Sequence, residues 1–414
     1  MSQITVIKFL PYFPPHKWGM ESHVQERSKR WVEKWYGNVI NITPSIGQEQ
    51  IMSKTQSWNL NWIEYVYYKN KKIWYKQYWY TVLVYPAFEL IPTFPFPKFW
   101  KRDFWAVMRL AKKFNADIVN THTRFFLTSL LGGIFAKCNH IKRVHIEHGS
   151  DYVKVSAWWK NKIAYIYDKI VGVRIFKAAD FIIPISDACK EFIEKKLLKR
   201  NIRGKNWKDA QVICRWLEIS KELPISEDLH KKFPNKLILW FVGRLYKRKN
   251  VDSLIRAYYD IDSRIAEKIQ IVIVWEWEDM ERLKKMDKRN QIYFTWWKLS
   301  LDALSLQQQF DIHIHSSSPG WWLATTLLQA MSFGCMIIAT PNEWAKEVIK
   351  NNYNGILVKD DSVGSIKQWI LLGIEHLSNK ENWAKINKHI IETQFDWEKN
   401  IKKYFLLYEN LLHE

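Results

Sequence analysis

Residues 237–258 read LILWFVGRLYKRKNVDSLIRAY. The run up to Val242 is apolar without alternation, as in a strand buried on both faces of a sheet. Gly243 ends it. Arg244 and Lys249 follow, and a helical pattern starts at Asp252. A strand, a glycine turn, two cations and a helix start together make a holder for a diphosphate. The helix start offers free N–H groups and a positive dipole. Arginine adds a forked donor and lysine a point charge.

The same alternation extends in both directions. Downstream, strands are predicted at Ile269–Val274, Ile292–Thr295, Asp311–Ser316, Met336–Thr340 and Gly355–Val358. Helical patterns fall between them at Asp252–Asp260, Leu301–Gln309, Leu323–Phe333, Trp344–Lys350 and Val363–His376. Upstream, strands are predicted at Ile4–Leu10, Asn38–Thr43, Asp117–His122, Arg143–His148 and Phe181–Ser186, with helices such as Glu21–Lys34 and Phe104–Phe114. Two such series predict two doubly wound, Rossmann-like α/β domains, residues 1–212 and 213–394. Ligands of such sheets bind beyond the carboxyl ends of the strands, here expected in a cleft between the domains.

Composition narrows the partners. The chain of 414 residues carries a formal net charge of +21. Residues 1–212 hold 35 Lys and Arg against 16 Asp and Glu, a net +19, so one domain carries nearly all of the excess. That asymmetry predicts an anionic partner for the first domain. Tyr85–Trp105, YPAFELIPTFPFPKFWKRDFW, mixes aromatic, proline and basic residues as an interfacial membrane contact or a lipid-acceptor site would; a partly buried surface loop fits equally well. No nucleic-acid-binding motif accompanies the charge, and a nucleic-acid partner is not expected. Four cysteines (Cys138, Cys189, Cys214, Cys335) lack CxxC spacing, which argues against zinc and a disulfide framework and for a reducing compartment. The opening MSQITVIKFL reads as a strand rather than an export signal, and no apolar run reaches the roughly 18 residues that span a bilayer.

A second chemical segment is His313–Asn342, HIHSSSPGWWLATTLLQAMSFGCMIIATPN. A strand meets a serine-rich turn and a helix starting near Leu323, whose N-terminus points free N–H groups at a ligand. With GRL at Gly243–Leu245, Lys249, the LLQAMSFG run and EWAKEVI…GILV at Glu343–Val358, the chain resembles family 4 of the retaining glycosyltransferases. PYFPPHKWGMESHVQERSKR near the start, ADIVNTHT around His122, HIEHGSD around His148 and ADFIIPIS around Ser186 extend the resemblance over nearly the whole chain. It implies the two-domain GT-B fold, with a helix over residues 395–414 crossing back to the first domain. It implies transfer of a sugar from a nucleotide-diphosphate sugar to a glycan or lipid-linked acceptor. The implied place is the cytoplasm, peripheral on the inner membrane face, building a surface polysaccharide.

Roles follow from the resemblance. Arg244 and Lys249 would neutralise the departing diphosphate, which removes the need for a metal; no cofactor is expected. His122 would stand near the sugar. Gly19, Gly243, Ser317, Ser318, Gln329 and Glu347 would bind the donor. His148 would serve the acceptor loop or the framework. The family's paired glutamates fall at Trp321 and Gln329. Gln329 can still hydrogen-bond a ribose hydroxyl, and Trp321 cannot replace a carboxylate. A nucleotide-sugar epimerase of the same fold and a non-catalytic nucleotide-sugar-binding protein remain alternatives.

Glycine is scarce, 14 residues, while tryptophan numbers 24. Trp18, Trp216, Trp275, Trp277, Trp296, Trp322 and Trp344 stand where the resemblance expects glycine, whose positive φ or close backbone approach an indole cannot supply. The expectation is that many of these codons are UGA, read as glycine in the source. Codons TGG at 275, 277 and 344 would end that reading.

Overall fold

The computed structural model describes residues 3–14, 19–46, 64–68, 71–77, 79–91, 94–152, 158–198, 211–214, 223–225, 227–242, 251–274, 280–295, 300–315, 325–360 and 362–414. Contacts divide the chain into two units, Met1–Arg215 with Glu398–Glu414, and Trp216–Trp397.

Among the described residues unit 1 holds ten strands: β1 (Val6–Phe9), β2 (Val39–Pro44), β3 (Glu64–Tyr68), β4 (Lys71–Gln77), β5 (Tyr80–Tyr85), β6 (Ala87–Ile91), β7 (Phe94–Pro97), β8 (Ile118–His122), β9 (Lys142–Glu147) and β10 (Phe181–Pro184). Its main sheet runs β10-β9-β8-β1-β2-β5-β4-β3. The six strands from β10 to β5 are mutually parallel, and their order reverses between β1 and β8. β1 and β2 are buried at every position, because helices cover both faces. Ile7, Phe9, Ile40, Ile42, Val107 and Val119 lie in one core cluster.

Two hairpins were not expected. β4 extends the sheet antiparallel to β5, and β3 pairs antiparallel to β4 at its edge. Tyr85–Trp105, for which a surface loop and a membrane or lipid-acceptor contact were the two readings, contains the antiparallel pair β6–β7. Pro95 and Pro97 are tolerated there because each strand of a two-stranded sheet has a free edge.

Unit 2 holds β11 (Leu237–Val242), β12 (Ile269–Val274), β13 (Ile292–Thr295), β14 (Ile312–His315), β15 (Met336–Ala339) and β16 (Ile356–Leu357). The sheet is parallel, in the order β13-β12-β11-β14-β15-β16, and reverses between β11 and β14. Both units thus wind outward twice from a central pair, the dinucleotide-fold order.

One device recurs at three strand starts. Asp117, just before β8, accepts from the Thr5 N–H (2.7 Å) ahead of β1. Asp311, just before β14, accepts from the Ile238 N–H (2.9 Å) of β11. Asp180, before β10, accepts from the Arg143 N–H (2.7 Å) of β9. Each carboxylate satisfies an N–H near the N-terminal end of the neighbouring strand, which fixes the register of the pair.

The first helix is Gly19–Glu33 and the last is Trp397–His413. Both pack within unit 1: Trp31 meets Phe405 and Tyr408 at ring distances of 5.9 and 5.4 Å. Tyr408 donates to Asn120 of β8 (2.6 Å).

The chain leaves the first helix through a left-handed residue. The Trp35 N–H bonds to Val32 O and the Tyr36 N–H to Trp31 O, with Trp35 at φ +58°. The helix Thr325–Phe333 ends by the same bond pattern, with Gly334 at φ +79° in the equivalent place. Glycine is the ordinary occupant of that position because it lacks a Cβ. Trp79, in the turn joining β4 to β5, is also left-handed at φ +69°. Both rings are exposed. Trp344 lies in a helix, Glu343–Val348, so the left-handed argument does not apply there. Trp18, Trp216, Trp275, Trp277, Trp296 and Trp322 lie outside the described residues.

Candidate functional site

β8 ends at His122, beside the end of β1, where the strand order of unit 1 reverses. His122 is fully buried. Arg27, from the first helix, places Nη2 2.9 Å from its Nε2, and His148 Nε2 lies 3.1 Å from its Nδ1. Guanidinium only donates, so His122 Nε2 must accept. Its proton is then on Nδ1, which donates to His148 Nε2, and His148 carries its own proton on Nδ1. Burial, then Arg27, then His148 push the His122 pKa well below 6.5, so the ring is neutral at pH 7.

Arg27 is 1% exposed. Its guanidinium lies 4.9 Å from the Tyr404 ring centroid, a cation–π contact from the last helix. Among the described residues, Arg27 Nε and Nη1 have no hydrogen-bond partner. Lys8, buried in β1, donates to Ser28 Oγ (2.9 Å), and burial followed by Arg27 lowers its pKa far below 10.5. The Arg27 guanidinium therefore stands against the neutral His122, with Lys8 a second buried basic group whose charged form is disfavoured. Sequence reasoning missed both. The signal was present: Arg27 occupies the buried 20-24-27-31 stripe with Met20, Val24 and Trp31, and Lys8 interrupts an apolar strand.

A second buried network carries the loops after β8 and β9. Arg143 donates through Nε and Nη2 to Thr121 Oγ1 (3.3 Å each). Thr121 pairs with His145 Nδ1 (2.9 Å), and His145 Nε2 meets Glu147 Oε2 (3.2 Å). Glu147 Oε1 also accepts from Arg124 Nη1 and from the His148 and Gly149 N–H groups. Arg124 in turn donates to both oxygens of Asp168 (3.1 and 3.0 Å). The chain has one consistent direction: Thr121 donates to His145, and His145 donates to a carboxylate. Burial alone would raise the Glu147 pKa. Arg124, His145 and the backbone donor outweigh it and hold Glu147 at about 2. Burial dominates at Asp168, whose pKa is raised. These bonds fix His148 against His122.

The other predicted residues divide. Gly19 is the first residue of the first helix, where backbone N–H groups lack intrahelical partners. Gln329 is half-buried in the helix Thr325–Phe333, and Glu347 is half-buried in the helix Glu343–Val348. Gly243, Arg244, Lys249, Ser317, Ser318 and Trp321 lie outside the described residues. In sequence, Gly243, Arg244 and Lys249 follow β11, and Ser317, Ser318 and Trp321 follow β14. Among the described residues no group of His, Cys, Asp and Glu could hold a metal ion. No helix among them is long and apolar enough to cross a membrane.

Comparisons with known proteins agree with this architecture. Residues 225–405 match the family model of glycosyl transferases group 1, and residues 66–203 match that of glycosyltransferase family 4. An uncharacterized glycosyltransferase of Methanocaldococcus jannaschii is 39% identical over 100% of both chains. A Campylobacter jejuni N,N'-diacetylbacillosaminyl-diphospho-undecaprenol alpha-1,3-N-acetylgalactosaminyltransferase is 20% identical over 75% of this chain and 81% of its own. Among solved structures, Anabaena HepE with UDP and glucose aligns at TM-score 0.69 and 15% identity, over 99% of this chain and all of that one. Sucrose-phosphate synthase of Thermosynechococcus elongatus aligns at TM-score 0.73 and 13% identity, again over 99% and 100%. A relative of this identity along the whole length, with both family models matched in order, shows that the chain belongs to the group 1 glycosyltransferases, whose GT-B fold it shares.

Proposed function

We propose that the protein is a retaining, metal-independent glycosyltransferase that moves a sugar from a nucleotide-diphosphate sugar to a glycan or lipid-linked acceptor. One observation carries the donor reading. The two segments predicted to hold the diphosphate, Gly243–Lys249 and the Ser317–Ser318 turn, follow β11 and β14, the neighbouring strands between which unit 2 reverses its order. Ligands of doubly wound sheets bind beyond the ends of that pair. Arg244 and Lys249 stabilise the diphosphate charge as the glycosidic bond breaks. Gln329 and Glu347 serve the nucleoside end. Residues 1–212 form the acceptor domain, residues 213–394 the donor domain, and residues 395–414 tie back to the first.

In unit 1, His122 cannot act as a proton donor through Nε2, which Arg27 occupies. Its role is to hold a neutral, fixed edge beside the acceptor, with His148 behind it. The basic first domain faces an anionic membrane surface from the cytoplasmic side, with Phe99, Trp100 and Trp105 exposed among Lys98, Lys101 and Arg102.

The test is thermal shift of the full chain against UDP, other nucleotides and their sugars. A nucleotide present at 100 times its Kd raises stability by about 2.7 kcal/mol. Arg244→Ala should abolish most of that shift. Nuclear magnetic resonance of the product's anomeric centre then reads retention, and EDTA reads metal dependence. Binding without transfer or donor hydrolysis would leave the non-catalytic alternative, which Trp321 at a carboxylate position favours. Conversion of the free donor to its epimer would establish the epimerase.

A further inference from the structure

The segment Trp158–Lys177 forms a helix, Trp158–Tyr167, that runs on through a π-helical stretch, Asp168–Gly172, into a second helix, Val173–Lys177. Its inner face is complete. Ala164, Asp168, Gly172, Ile175 and Phe176 are buried, and Tyr167 packs on Phe94 and Phe125 at ring distances of 6.2 and 5.7 Å. Its outer face is apolar as well. Trp159, Ile163, Ile166 and Ile170 are 50%, 59%, 53% and 48% exposed, and their spacing of four, three and four residues aligns them in one stripe. A helix apolar on both faces, with one face already packed, needs a second apolar environment.

Charge identifies that environment. Within Trp158–Lys177, Lys160, Lys162, Lys169, Arg174 and Lys177 are basic, and the single acid, Asp168, is buried on Arg124. Isoleucines edged by lysine and arginine, with no exposed acid, match the boundary between acyl chains and anionic headgroups. The inner face of the same segment connects to the aromatic turn after β7. Trp100 packs on Phe88, Phe88 on Phe96, Phe96 on Phe94, and Phe94 on Tyr167.

We propose that the outer face of the Trp158–Ile170 segment is a bilayer-docking surface, in which Ile163, Ile166 and Ile170 enter the interface of an anionic lipid membrane. The proposal rests on the membrane-facing reading of the first domain and assigns its apolar anchor. Three isoleucines carry it, so it does not depend on the identity of residue 159. Docking here holds the acceptor domain on the surface where lipid-linked acceptors lie, and makes association depend on both salt and headgroup charge.

The experiment sediments the full-length protein with vesicles of phosphatidylcholine alone or with one quarter phosphatidylglycerol. Wild type should pellet with the anionic vesicles and be released at 0.5 M salt. Ile163→Glu/Ile166→Glu should weaken the partition at least tenfold, with melting temperature and nucleotide-induced thermal shift unchanged, because both side chains are exposed. The inference is overturned if the double variant partitions like wild type, if wild type ignores anionic vesicles, or if light scattering shows that the stripe instead joins two copies of the chain. Loss of binding in Trp100→Ala with full binding in the isoleucine variant would keep the membrane reading and reject this anchor.

Discussion

Replacing Trp35 by glycine should stabilise the protein, against the usual direction of removing a tryptophan. Trp35 ends the first helix in the left-handed region at φ +58°, and its ring is 79% exposed. Left-handed backbone costs a residue with a Cβ about 1–2 kcal/mol. Glycine removes that strain but enlarges the unfolded ensemble, which takes back about 0.4–1 kcal/mol. So exposed a ring forfeits only a few tenths on burial, leaving a net gain of about 0.5 kcal/mol. Trp79→Gly, at φ +69° and 62% exposed, should add a similar amount. Together they should raise Tm by about 2–4 °C, at about 2–4 °C per kcal/mol for a unit of this size. Two controls separate causes. Trp35→Ala keeps the strain and should gain nothing. Trp31→Gly removes a buried ring that donates to Ile4 O (3.3 Å), and should cost about 4 kcal/mol or more. Differential scanning calorimetry reads the four single variants and the Trp35→Gly/Trp79→Gly double variant. A Trp35→Gly protein that melts below wild type, or no higher than Trp35→Ala, refutes the argument.

Arg124→Met leaves Glu147 and Asp168 buried without their cation and should cost about 3–5 kcal/mol in urea titration, while adding Glu147→Gln should restore part of it. Stability should fall in two acid stages. His122 and His145 are held below 6.5, so the unfolded chain binds protons that the native chain refuses, and stability drops below pH 6.5 by up to about 1.4 kcal/mol per pH unit per histidine. Glu147, lowered from 4.5 to about 2, contributes fully above pH 4.5 and loses its contribution as the pH falls toward 2; a stability flat from pH 7 to 5 would contradict the first stage. Arg27→Met should let the His122 ring titrate at higher pH than in wild type, read from its imidazole carbon shift, because a buried cation 2.9 Å away is gone. An unchanged titration would mean that Arg27 does not set the ring's charge.

Parallel strands were legible because both of their faces are buried. Ile269–Val274 and Ile292–Thr295 are found at the bounds their apolar runs predict. The hairpins β3–β4 and β6–β7 were not read, because aromatic and lysine residues in Glu64–Gln77 and prolines in β7 obscure the alternation that marks a half-exposed strand. His122 was legible as a strand-end residue of a resembling motif. Its partner Arg27 was passed over although it falls in the buried 20-24-27-31 stripe, because periodicity counts apolar positions and a charge among them is discounted. The Arg143-to-Asp168 chain was beyond sequence reasoning altogether: it joins residues from 121 to 168 through burial and hydrogen-bond direction, neither of which spacing encodes.

Two sets of the described tryptophans are physical opposites, and they give the glycine question an answer at those positions. Trp31, Trp369 and Trp383 are 2–3% exposed within helices, with Trp369 and Trp383 in the core of unit 2. A glycine there would empty a large core volume and weaken a helix. Trp35 and Trp79 reverse both terms: their rings are mostly exposed, and their backbone conformation favours glycine. Gly334 occupies the same helix-ending position in unit 2 that Trp35 occupies in unit 1. The gene should therefore carry TGG at 31, 369 and 383 and TGA at 35 and 79. TGG at 35 and 79 would mean that real tryptophans hold both turns under strain, and the stabilisation expected from glycine would then be a property of the native protein rather than of its decoding.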